Sequence, residues 1–182
     1  MSRTDVRVMM GSESDAEQGN KILAILRKNG VAHKVTIASC HRNIGGEFEE
    51  LAKRIEERVI LMIGGMSFAA PGIMSSLLRN GGKLGHVIIA IPLDEAARSA
   101  IEDLPKGTVV LTCGLNSTSV SHSIENATLA AVQLNAIFRL LENEPQPMMA
   151  FAAYLDSSTK KLIDEVELDS NGNIPLPSKS KS

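Results

Sequence analysis

The chain predicts a three-layer α/β sandwich on a parallel, flavodoxin-like sheet of about five strands. Three observations lead there. Short aliphatic runs alternate with helical patterns from residue 6 to residue 142. Two of those runs, VILMI (59–63) and HVIIAI (86–91), are apolar almost throughout, as in strands covered on both faces. Hydrophobic residues make up 43% of the chain but aromatics only 3%, with no tryptophan, so the core must be aliphatic.

The elements follow in order. VRVMM (6–10) reads as the first strand. Residues 16–29 read as a helix with Ile22, Leu23, Ile25 and Leu26 inward, stopped by Gly30 at the usual place for a left-handed cap. KVTIA (34–38) is the second strand. Residues 47–57 form a helix, because Phe48, Leu51, Ala52 and Ile55 recur at the spacing of one buried face. VILMI follows as the third strand. Pro71 suits the first turn of a helix running to Arg79, and Gly81-Gly82 breaks it. HVIIAI and TVVLT (108–112) are further strands around a short helix at 95–102. Residues 123–142 form a long helix rich in alanine and leucine. Alternation of this kind implies parallel pairing through right-handed crossovers.

The main domain is expected to span 1–144. Beyond the linker EPQP, residues 145–168 form a helical extension, with the helix itself at 148–167. It is expected to pack on a neighbouring subunit, the alternative being a return onto its own domain. The segment 169–182, ending in SNGNIPLPSKSKS, is low in core formers and is expected to be disordered.

Net charge is −2 with acids and bases interspersed. With no basic stripe and no stacking aromatics, nucleic acid is not expected as a partner. No run approaches the roughly 20 apolar residues of a membrane helix. The opening MSRTDVRVMMGS lacks the apolar stretch of a secretion signal, and Cys40 and Cys113 show no metal or disulfide spacing, so a cytoplasmic location is expected.

Ligands of open parallel sheets bind outside the carboxyl ends of the strands. The loops leaving those ends are GSESD (11–15), SCHRN (39–43), GGMSFAAPG (64–72) and PLDEA (92–96), which should all open on one edge. In the first, Ser14 or Asp15 stands at a helix N-cap, where main-chain N–H groups and the positive helix end favour an anion. Gly11 would admit an oxyanion, and Ser12 and Ser14 can donate hydrogen bonds. Asp15 repels phosphate but suits a diol such as ribose hydroxyls. An ordinary capped turn accounts for the same residues. The second loop carries Ser39, Cys40, His41 and Arg42. Arg42 offers a planar fork for phosphate. His41 is the histidine predicted at this edge and can shuttle a proton near neutrality; a surface His-Arg pair is the plainer alternative. Cys40, pointing opposite to its neighbour, reads as packing rather than as a nucleophile. In the third loop Gly64, Gly65 and Ser67 would allow a flat ligand close approach, or simply make a tight turn. No Walker A, GxGxxG, HExxH or CxxC pattern is present, and neither a metal nor a cofactor is expected.

Together, VMMGSESD and the later SCHRN resemble the PurE family, the catalytic subunits of aminoimidazole ribonucleotide carboxylase and N5-carboxyaminoimidazole ribonucleotide mutase. The family pattern is a strand followed by GSxSD, then SAHR at the end of the next strand, and the similarity extends over residues 5–165. The resemblance implies carboxyl transfer to C4 of 5-aminoimidazole ribonucleotide in purine synthesis, with CO2 as co-substrate or transient and without a metal or organic cofactor. Ser12, Asp15 and Arg42 would bind the ribose 5-phosphate, Ser39 would line the site, and His41 would be the general acid/base. Homo-octamers, or tetramers, are implied.

The chain departs from the pattern in the third loop. The mutase branch carries GAGGAAHLPG there, and its histidine position falls at Ala69. The carboxylase branch carries AGRSN, and Met66 and Phe68 stand where its arginine and asparagine are. The segment 92–105 is also shorter than the family's and lacks its serine-rich loop. Two other readings therefore stand beside the first: a paralogue acting on another ribosyl phosphate, or a non-catalytic nucleotide-binding oligomer.

Overall fold

A computed structural model describes residues 5–43, 46–104, 108, 110–112 and 119–141. The expected helix at 148–167, its packing, and the tail at 169–182 lie outside the described residues. The elements are β1 (Val6–Met10), α1 (Ala16–Lys28), β2 (His33–Ile37), α2 (Glu47–Arg54), β3 (Val59–Gly64), α3 (Ala70–Asn80), β4 (Val87–Pro92), α4 (Glu95–Glu102), β5 (Val110–Leu111) and α5 (Val120–Leu141). The strands form one parallel sheet in the order β2-β1-β3-β4-β5. Its register aligns Val8 with Val35 on one side and Leu61 on the other, and Leu61 with Ile89.

Successive side chains of a strand point to opposite faces, and the core divides accordingly. Val6, Val8, Met10, Leu61 and Ile89 pack under α1 and α5 against Ile22, Leu26, Ala127 and Phe138. Met9, Ile60, Met62 and Ile88 pack under α2, α3 and α4 against Phe48, Met74 and Ile101. Ile22 and Leu26 are fully buried, each worth roughly 1.5–3 kcal/mol over an exposed position. Gly19 lies where α1 crosses β1, and a Cβ there would stand 2.5 Å from the Met10 sulfur. At the end of α1, Gly30 has φ 66, the predicted left-handed cap.

Two features depart from simple patterning. The first is Arg7, in the middle of the apolar β1. Its Nε and Nη2 donate to the two carboxylate oxygens of Glu57 at 2.8 and 3.0 Å, and Nη1 donates to Thr36 Oγ1 at 2.8 Å. Glu57 is 2% exposed, and Lys34 Nζ lies 3.5 Å from it. The second is the end of α2, expected near residue 57 but found at Arg54. The Lys83 ammonium donates to the carbonyls of Ala52, Lys53 and Ile55 at 3.1, 2.5 and 2.6 Å. A cation thus takes the acceptors at the helix terminus. Ile55 turns to extended backbone (φ −67, ψ 125) yet stays buried, so the i, i+7 pattern is kept without the helix.

β2 lies one residue earlier than expected, and among the described residues β5 pairs through Val110 and Leu111. α5 begins at Val120 rather than 123, its first turn drawn back by the Ser123 N–H donating to the Ser119 carbonyl. No helix of the described residues is long and apolar enough to cross a membrane.

Candidate active site

In this strand order the chain reverses direction across the sheet between β1 and β3, which opens a crevice at their carboxyl ends. A cavity of about 500 Å³ lies there. The ten candidate site residues all line it: Gly11, Ser12, Ser14 and Asp15 from the loop after β1, Ser39, His41 and Arg42 after β2, and Gly64, Gly65 and Ser67 after β3. The cavity also takes in Ala38, Cys40, Met66, Phe68, Ala70 and Asp94.

The first loop folds as a single 3-10 turn over Glu13–Asp15, with Ser12 as its cap. Ser12 N–H donates to Asp15 Oδ2 at 3.1 Å, and Ser14 N–H approaches Ser12 Oγ at 3.4 Å. Asp15 does stand at the N-cap position of α1, but its side chain turns back to Ser12 and makes no bond to the helix. The Ser12 and Ser14 N–H groups are therefore engaged within the loop. Gly11 N–H donates to the Ile63 carbonyl, and Asp15 N–H to the Ser12 carbonyl. What the loop offers a ligand is the serine hydroxyls, the Asp15 carboxylate and the positive end of α1.

The second loop is a tight turn. Ser39 N–H donates to Asn43 Oδ1 at 2.9 Å, while the Ser39 carbonyl accepts from Arg42 and Asn43 N–H. Arg42 Nη2 donates to the Gly11 carbonyl at 3.0 Å, so the guanidinium ties the first two loops together across the cavity. Cys40 is buried in the cluster beneath, and burial pushes its thiol up, with a main-chain hydrogen bond pulling part of the way back. A thiol held protonated is a poor nucleophile, which agrees with the packing reading.

His41 reaches the third loop: its Nε2 lies 3.0 Å from the Ser67 carbonyl oxygen. A carbonyl can only accept, so Nε2 carries the hydrogen and the neutral ring keeps its lone pair on Nδ1. Ser67 and Met66 both have positive φ, 46 and 29. Left-handed backbone costs a non-glycine residue roughly 1–2 kcal/mol, and local contacts hold it, among them the Ala69 N–H donating to the Ser67 carbonyl at 2.6 Å. Phe68 is buried in the core below, and Met66 N–H donates to Asp94 Oδ2 at 2.9 Å. Asp94 was placed at this edge by the sequence with no part to play. Its position before a helix and after a strand was the available signal. Met66 itself is 78% exposed. Among the described residues no three side chains of metal-ligating type gather.

Fold and cavity together define a parallel α/β sandwich with a small-molecule site at the carboxyl edge of its sheet, furnished with hydroxyls, a carboxylate, a guanidinium and an imidazole whose Nε2 faces a main-chain carbonyl. Residues 5–146 match the family described as AIR carboxylase, and the chain belongs to that family. It is 31% identical to the N5-carboxyaminoimidazole ribonucleotide mutase of Methanocaldococcus jannaschii over 71% of this chain and 78% of that protein. It is likewise 31% identical to the enzyme of that name from Pyrococcus horikoshii, over 72% of each chain. A crystal structure of Treponema denticola PurE aligns with a TM-score of 0.48 at 20% identity, over 79% of this chain and 98% of that one.

Proposed function

We propose that the protein places a carboxyl group on C4 of 5-aminoimidazole ribonucleotide, giving the 4-carboxy product, as a step of purine biosynthesis. The carboxyl comes either from the N5-carbamate of the same molecule or from CO2 in solution. One observation carries the reading. Ser12 and Asp15 from one loop and His41 and Arg42 from another, a helix apart in sequence, line one cavity. Membership of the AIR carboxylase family and the names of its relatives support it.

In this reading Arg42 and the serine hydroxyls take the phosphate, and Asp15 accepts from ribose hydroxyls. In the mutase direction the carbamate N–C bond breaks, CO2 is released inside the cavity, and the amine receives a proton from Nδ1 of His41 in its imidazolium form, leaving that nitrogen free to accept. The C4 electron pair then bonds to the CO2 carbon, and the proton displaced from C4 passes to Nδ1 of His41. Holding CO2 beside C4 makes recapture compete with escape. A homo-octamer or tetramer belongs to the same reading, and sedimentation of the full chain measures it.

The test is decarboxylation of 4-carboxy-5-aminoimidazole ribonucleotide, followed by absorbance. His41→Asn should lower turnover by about 10²-fold or more while the nucleotide still binds. Full rate in that variant removes His41 from the reaction. The exposed Met66, standing where the family has other residues, favours a second reading: a paralogue for another ribosyl phosphate. Its signature is a wild type with no turnover on this substrate but raised melting temperature with ribose 5-phosphate. A non-catalytic binding oligomer would add no turnover on any ribosyl phosphate offered.

A further inference from the structure

We infer that Asp94 is a positioning residue for His41: its carboxylate pins the third loop and thereby aims the Ser67 carbonyl at the imidazole. The inference rests on the reading of His41 as proton carrier. Asp94 stands beyond the carboxyl end of β4 and lines the cavity. Its two oxygens do different things. Oδ1 accepts from Ala97 N–H at 2.8 Å and caps α4, while Oδ2 accepts from Met66 N–H at 2.9 Å. The helix therefore fixes the carboxylate, and the carboxylate fixes the loop.

The loop needs fixing. Met66 and Ser67 are held in the left-handed region, which residues with a Cβ leave when released. Gly65 makes the contact possible, since a Cβ there would stand 2.5 Å from Asp94 Oδ2. The Ser67 carbonyl, presented by this strained pair, meets His41 Nε2 at 3.0 Å. A neutral imidazole in water samples both tautomers. Here the loop selects the one with its lone pair on Nδ1. Asp94 acts on the proton transfer through the loop, by deciding which nitrogen is basic.

The test uses the unliganded full chain and two readouts. Asp94→Ser keeps an oxygen able to cap α4 but is too short to reach Met66 N–H. Gly65→Ala displaces the carboxylate from the other side. Nitrogen-15 shifts of the His41 ring should report a single Nε2–H tautomer in the wild type and a mixture in both variants. In the decarboxylation assay, kcat should fall about 10-fold or more, by analogy with the loss of an orienting partner, with KM held within about twofold. Imidazole shifts identical to the wild type in both variants overturn the inference. So does a mixed tautomer with unchanged kcat. If the wild type itself shows no turnover, the functional reading fails while the ring shifts still decide what Asp94 does to His41.

Discussion

Arg7→Met tests the account of the sheet most sharply. The guanidinium gives Glu57 two paired N–H donors at 2.8 and 3.0 Å, and Glu57 is 2% exposed. Removing one member of such a pair strands a buried charge and costs about 3–5 kcal/mol. Lys34 remains 3.5 Å away, but its side chain is 57% exposed, so it offsets less than about 1 kcal/mol. A loss near 3 kcal/mol is expected at neutral pH, or a melting temperature lower by about 6–12 °C for a chain of this size. Burial alone would raise the Glu57 carboxyl, yet the Arg7 hydrogen bonds, a main-chain hydrogen bond and the Arg7 and Lys34 charges together outweigh it and leave it lowered. A lowered carboxyl lends stability above its unfolded pKa and loses it as pH falls through the folded one. In the variant only a main-chain hydrogen bond and the exposed Lys34 are left to oppose burial, so the carboxyl is raised relative to the wild type and acid relieves the strain. The gap between wild type and variant should therefore be full near pH 7 and narrow below about pH 5. Urea titrations at several pH values measure it. Adding Glu57→Leu to Arg7→Met should recover most of the loss. A single variant within about 1 kcal/mol of wild type at neutral pH, or a gap that does not narrow in acid, refutes the reasoning.

Two further outcomes are expected. Burial, with the Lys83 and Arg58 charges, pushes His86 from 6.5 down to about 4. Between those values the unfolded chain binds a proton that the folded one refuses, so stability falls as pH drops across that window. His86→Leu should flatten the fall in urea titrations, and an unchanged slope counts against it. Arg42→Met should weaken binding of ribose 5-phosphate about 10–100-fold, the worth of a charge-assisted fork, with a smaller effect on kcat. Calorimetry reads the affinity, and an undiminished one removes Arg42 from the phosphate site.

Much of this was legible in the sequence, because it depends on local period and on topology. Aliphatic runs alternating with helical patterns fix a parallel sheet, and a parallel sheet puts its βα loops on one edge. That is why Ser12, Asp15, His41 and Arg42 could be grouped before any coordinates. What could not be read are contacts between positions far apart in the chain. Arg7 looks like a blemish in an apolar strand until Glu57, fifty residues on, supplies its carboxylate. α2 stops early because Lys83, some thirty residues later, takes its carbonyls. In the first loop the Ser12 N–H, which could have faced an anion, is taken by Asp15, a choice of rotamer that residue identity leaves open. The left-handed pair Met66–Ser67 carried no glycine to announce it.

Cys40 and Phe68 each sit within a site loop yet are only 5% exposed, and both belong to the cluster beneath α2, α3 and α4. They act as ballast for the hollow above them. Exchanging either for a side chain of another size would tilt the platform carrying His41 or Ser67 while leaving each lining polar group in place. Substrate preference in this protein can then drift from below, through methylene volumes, without any change in the polar groups that line the cavity.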